Sequence, residues 1–156
     1  FIPPFDDPQI IEGQATIGME ILQECKGVPD YIFVPIGGGG LASGVGACIK
    51  QMSPSTKIIG VEPAGAAGMK CSLEAGKVTT LDKVDNFVDG AAVRRVGDYT
   101  FEICKKVLDD IVVVPEGAVC STILEMYNRN AIVVEPAGAL SVAALDFYEE
   151  KIKGKK

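Results

Sequence analysis

Histidine is absent from the 156 residues. With it go the Ser-His-Asp and Cys-His devices for activating a nucleophile, and every imidazole metal ligand, at least from this chain. Disulfide and zinc spacings are missing too. Five cysteines (Cys25, Cys48, Cys71, Cys104, Cys120) are far apart, with no CxxC, and most stand among apolar neighbours. An odd count in that pattern points to small buried hydrophobes in a reducing, cytoplasmic setting. Long apolar runs are also lacking: the longest, such as Tyr31 to Ile36, reach about six residues, against the ~20 that a membrane span needs. The start, Phe1-Ile2-Pro3-Pro4-Phe5, has neither the basic flank nor the apolar block of a signal peptide, nor an initiator Met. The chain is therefore expected to begin inside a longer one. Positive charge is scarce, with 15 basic against 21 acidic residues and a net charge of −6. The one basic cluster, Lys151 to Lys156, reads as lysines closing a helix beside Glu149 and Glu150. A groove for a polyanion such as nucleic acid is not expected.

What is present is an alternation of helical and extended patterns. The length suits a single domain that buries roughly 68–70% of its unfolded surface. Asp7 followed by Pro8 reads as an N-cap with proline at the first helical position, and Ile10, Ile11, Ile17, Ile21, Leu22 and Cys25 then recur at helical spacing up to Gly27. Residues 31–36 form a continuous apolar strand, as expected where both faces of a parallel sheet are buried. Leu41 to Met52 predicts a helix of small residues, Lys57 to Val61 a strand, and Ala66 to Ala75 a helix. Residues 78–97 are less regular. Asp98 is expected to cap a helix through Phe101, Cys104 and Leu108, before a strand at Ile111 to Val114. A helix marked by Val119, Ile123 and Tyr127, a short strand at Ala131 to Val134, and a last helix with Leu140, Ala143, Ala144 and Phe147 on one side complete the pattern. Strands separated by single helices predict βαβ units: an α/β fold with an open, mostly parallel sheet and helices on both faces.

One pentapeptide occurs twice, at Glu62 to Ala66 and Glu135 to Ala139. Each copy follows an apolar strand and precedes a helical pattern. Mechanically, the glutamate ends the strand, the proline enters the first helical turn, and the acid faces the positive end of the helix dipole. The same placement puts two carboxylates at C-terminal strand ends, where open α/β sheets bind ligands.

Four consecutive glycines, Gly37 to Gly40, follow the first strand and lead into a helix. Each glycine costs about 0.5–1 kcal/mol more to order than alanine, so close approach of the backbone to something is implied. Amides at a helix N-terminus, unshielded by Cβ atoms, can curve around an oxyanion, and phosphate is the natural occupant. No GxxxxGK[ST] occurs, which excludes an ATP-type loop. Gly37, Gly39 and Ala42 meet a loose GxGxx[GA] spacing, so a dinucleotide site stays open on spacing alone; Gly38 and Gly40 exceed its needs, and Pro63 marks Glu62 as a helix-entry residue rather than a ribose ligand.

Five stretches then resemble one family in order and at compatible spacing: "PFDDPQIIEGQATIGMEI" (4–21), "VPIGGGGLASGV" (34–45), "IIGVEPAGAAGM" (58–69), "FVDGAAVRRVGD" (87–98) and "AIVVEPAGALS" (131–141). Together they resemble the biosynthetic threonine dehydratases (threonine ammonia-lyases), fold-type II, tryptophan synthase β-like pyridoxal-phosphate enzymes related to serine dehydratase and serine racemase. The resemblance implies that Gly37, Gly38, Gly39, Gly40 and Leu41 hold the phosphate of pyridoxal 5'-phosphate. It implies further that Gly90 lets the backbone pass beside the pyridine ring and that Glu135 lies near the cofactor. The implied substrate is L-threonine, or L-serine in the related branch; the implied products of the threonine reaction are 2-oxobutanoate and ammonia; the implied assembly is a homo-oligomer, tetramer or dimer.

Several family features have no counterpart here. No Ser-x-Lys-x-Arg segment supplies a Schiff-base lysine; Lys50, Lys57, Lys70, Lys77 and Lys83 fall on surface-like or helical positions. The substrate-carboxylate loop and the Ser-Gly-Gly-Asn segment are missing as well. Residues 1–156 are thus expected to be one partial domain, the C-terminal portion of the cofactor-binding domain, without the N-terminal segment, small domain or regulatory domain. Its partner would be the remainder of the parent chain. No catalytic residue is expected in it. No metal is expected either, since Gly68 stands where the racemase branch has a second acidic ligand. A noncatalytic, Rossmann-like nucleotide-binding module and a serine-directed enzyme of the same family are the alternatives.

Overall fold

A computed structural model describes residues 2–156; Phe1, part of the start read above, lies outside the described residues. Helix α1, Pro8–Glu24, opens as its sequence dictates, with Asp7 Oδ1 accepting the Gln9 N–H at 2.8 Å and Pro8 in the first turn. Strand β1 is Tyr31–Pro35, helix α2 Gly40–Met52 and strand β2 Lys57–Pro63. A 3-10 turn at Ala64–Ala66 leads into α3, Gly68–Ala75, and another at Asp89–Ala91 precedes α4, Asp98–Val107. Strand β3 is Asp110–Val114, followed by α5, Glu116–Asn130, α6, Pro136–Ala143, a 3-10 turn at Ala144–Phe147 and the four-residue α7, Glu149–Ile152.

The three strands form a parallel sheet in the order β1-β2-β3, with Val34 opposite Gly60 and Gly60 opposite Ile111. Alternation along the strands separates two cores. Ile59, Val61, Val112 and Val114 face α5 and α6 through Val119 and Leu140. Val34 and Ile58 face the other way, toward Val45 and Ile49 of α2, Met69 of α3 and Phe101 of α4. Helices therefore cover both faces. Gly60, central in β2, leaves space that Ile36 fills: a Cβ there would lie 2.6 Å from Ile36 Cδ1.

Two sequence expectations are corrected. Ala131 to Val134 joins no ladder among the described residues; the segment follows a left-handed Ala131 (φ 54°), with Ile132 46% and Val133 82% exposed. A strand exists only with a partner for its backbone groups, and this segment pairs with neither outer strand, β1 nor β3. Asp98 is not the cap of α4 but its first residue, paired with Arg95 at 2.8 Å. Its cap comes from Asp6, more than ninety residues away, whose carboxylate accepts the N–H groups of Asp98, Tyr99 and Thr100. The basic tail does close a helix, the four-residue α7, with Lys151 in its last turn beside Glu149 and Glu150; Lys151 also reaches Asp110 at 3.3 Å and stands 4.1 Å over the Tyr148 ring.

Candidate phosphate-binding site

Because the strands are parallel, β1 and β2 both end at one edge of the sheet, and the polyglycine corner turns there from β1 into α2. Gly39 caps the helix with φ 97°, a conformation that side-chain-bearing residues rarely adopt. Its Cα face is also occupied: a Cβ would lie 2.9 Å from both Met69 Cε and Thr100 Cβ. Gly38 is covered by Phe5, whose ring would stand 2.2 Å from a Cβ. The glycines thus let neighbours pack directly on the loop.

What the packing leaves free is the row of amides. Among the described residues, the Gly37, Gly38, Gly39, Gly40 and Leu41 N–H groups have no acceptor on the chain; pairing resumes with Ser43 N–H, which donates to Gly39 O at 2.9 Å. Four orphan amides are normal at any helix start, where water or a ligand satisfies them. Here they border a cavity of about 570 Å³, large enough for a small-molecule ligand. Phe5 shields one side of the loop without filling that space.

The same cavity brings together all seven residues singled out from the sequence: Gly37, Gly38, Gly39, Gly40, Leu41, Gly90 and Glu135. Gly90 sits where a Cβ would be 2.8 Å from Ala137 Cβ and 3.5 Å from Glu135 Oε1, so bareness at this position lets those two side chains pack against it. Sequence reasoning missed Phe5, Gln14 on α1, and Ala137. Two of them carried a signal: Phe5 by its place one residue before the acidic pair Asp6-Asp7, and Ala137 by its place in the repeated pentapeptide. No lysine lines the cavity among the described residues.

The two copies of the repeated pentapeptide have opposite roles. Glu62 is completely buried and turns inward, its two oxygens accepting the Met69 N–H at 2.7 Å and the Lys70 N–H at 2.8 Å, which caps α3. Burial pushes its carboxyl up to about 7, against the opposing pull of those two amides. Pro63 ends β2 instead of entering a helix. Glu135, by contrast, stands at the N-cap position of α6 without capping it, and Pro136 takes the first turn. Its carboxylate is left to the cavity. Elsewhere burial raises the Cys104 thiol to about 12, so this cysteine, with Ser43 beside it at 3.5 Å, stays protonated packing under the loop.

A family profile described as "Pyridoxal-phosphate dependent enzyme" matches residues 1–156. "L-threonine dehydratase biosynthetic IlvA" of Halalkalibacterium halodurans is 61% identical over 155 residues, covering 99% of this chain and 37% of that protein. The Bacillus subtilis protein of the same name is 58% identical over the same share. Among solved structures, the processed form of threonine deaminase isoform 2 from Solanum lycopersicum superposes with a TM-score of 0.93 at 45% identity, covering 99% of this chain and 45% of that one. The chain spans little more than a third of the length of the curated relatives it matches.

Proposed function

The chain belongs to the pyridoxal-phosphate-dependent enzymes, and from that premise we propose that it is the phosphate-holding portion of a threonine ammonia-lyase. The parent protein would convert L-threonine to 2-oxobutanoate and ammonia, a step of isoleucine biosynthesis. The observation that carries the proposal is the row of unaccepted amides from Gly37 to Leu41 beside a cavity shared with Gly90 and Glu135. When bound, the cofactor supplies an electron sink that stabilises the charge left on removal of the substrate α-proton.

The chain's own residues fit that group in three respects. Amides at the start of α2 favour a dianion through direct hydrogen bonds and the helix dipole. Gly90 lines the same cavity, and its bareness lets Ala137 and Glu135 close up against the backbone there. Glu135, uncommitted to α6, offers an acceptor in the same cavity. The β-hydroxyl that leaves from threonine needs a proton, and the Gly37 to Leu41 amides would hold the phosphate that would supply an acid for it.

The Schiff-base lysine, the loop gripping the substrate carboxylate and the group meeting the pyridine nitrogen would come from the remainder of the parent chain. We place these 156 residues in the C-terminal portion of its cofactor domain, in a cytoplasmic homo-oligomer. A serine-directed enzyme would use the same loop. Titration of the purified chain tests the reading: weak binding of pyridoxal phosphate without threonine turnover is expected. Preference for NAD would replace it with a nucleotide-binding module, and turnover by the chain alone would refute the division of labour.

A further inference from the structure

Building on the phosphate reading of the loop, we infer that Asp6 and Thr100 are positioning residues that set the direction of the loop's amides. The loop carbonyl of Gly38 is fixed by two donors: Thr100 Oγ1 at 2.6 Å and the Gly97 N–H at 3.2 Å. Both belong to the entry of α4. In a trans peptide the C=O of one residue and the N–H of the next lie in one plane and point in opposite directions. Holding Gly38 O against α4 therefore turns the Gly39 N–H away from α4. Likewise Gly39 O, taken by the Ser43 N–H inside the helix, aims the Gly40 N–H out of its end.

The donors are themselves held. Asp6 Oδ1 accepts from Tyr99 at 2.9 Å and Thr100 at 3.2 Å, and Oδ2 accepts from Asp98 at 2.9 Å. Gly97 admits this carboxylate because a Cβ there would fall 2.1 Å from Asp6 Oδ1. The neighbours of Asp6 extend the brace: Phe5 covers Gly38, and Asp7 caps α1. One tripeptide thus ties the loop, α4 and α1 together. A loop of four glycines has much freedom to lose on binding, and bracing it beforehand removes that loss from the binding step.

The experiment uses the full-length protein that carries this chain. Dissociation constants for pyridoxal phosphate and for phosphate-free pyridoxal are measured in wild type, Thr100→Val, Thr100→Ser and Asp6→Asn, with thermal unfolding of each without ligand. The expected result is that Thr100→Val and Asp6→Asn weaken pyridoxal phosphate about tenfold, the equivalent of one lost hydrogen bond, and pyridoxal by less than roughly twofold. Thr100→Ser, which keeps the hydroxyl, should bind as wild type. Equal weakening of both ligands by Thr100→Val, or no weakening in a folded protein, overturns the inference and leaves the phosphate reading standing. A wild type that does not distinguish the two ligands overturns both.

Discussion

Two glutamates in identical pentapeptides show how far a residue's role depends on what surrounds it. Glu62 and Glu135 share the sequence Glu-Pro-Ala-Gly-Ala, yet one is sealed under α3 and the other borders the cavity. Local sequence announced a helix entry at each. It could not announce the difference, which comes from the distance to the next helix: α3 begins six residues after Glu62, so the side chain reaches back over a 3-10 turn to its first amides, whereas α6 begins directly at Pro136. Because burial lifts the Glu62 carboxyl from 4.5 to about 7, the folded protein binds a proton that the unfolded chain has released, and stability falls as pH rises through that window. Glu62→Gln removes the titration. The stability difference between wild type and Glu62→Gln, from urea unfolding, should therefore shift by roughly 3 kcal/mol against wild type from pH 4 to pH 8. A constant difference would mean that Glu62 does not titrate there. Gly39 is the residue whose identity is most constrained. Gly39→Ala forces an unfavourable φ and a clash with Thr100, for a loss of about 1–3 kcal/mol, and should weaken phosphate-dependent binding more than it lowers the unfolding temperature of the remainder would suggest.

At the scale of elements, periodicity and capping made most helices and all three paired strands readable. α1 is the plainest case, since Asp7 and Pro8 write its start locally. α4 is the reverse. Its sequence offers Asp98, the right residue type at nearly the right place, but the carboxylate that reaches its amides is Asp6, brought there by the path of the chain around the glycine loop. A cap borrowed over such a distance has no local signature. The segment 131–134 is apolar, as its composition indicated, yet joins no strand among the described residues, because pairing is a property of two segments and not of one. Exposed, unpaired, apolar backbone invites association. Val133→Lys should therefore reduce self-association of the purified chain in light scattering, with its folded stability changed by no more than about 0.5 kcal/mol. Unchanged association would place the sticky surface elsewhere.

For the whole molecule, the parallel sheet gathers at one edge what the sequence scatters over a hundred residues: the glycine corner after β1, Gly90 in the irregular stretch, and Glu135 ahead of α6. Five motifs in order made that gathering foreseeable through the family they resemble, although only two of them, 34–45 and 58–69, run through the end of a strand. The brace behind the loop was not foreseeable, since Asp6, Gly97 and Thr100 signify nothing at their separate places in the chain. The loop and its supports lie within these residues, while among the described residues no lysine lines the cavity. The division predicts recognition without turnover. The most direct test follows the backbone amide resonances of the chain during titration with pyridoxal phosphate, with pyridoxal as control. The account predicts shifts concentrated at Gly37 to Leu41 that the phosphate-free ligand does not reproduce. Loop amides that stay in place while others move, or that respond equally to both ligands, would contradict it.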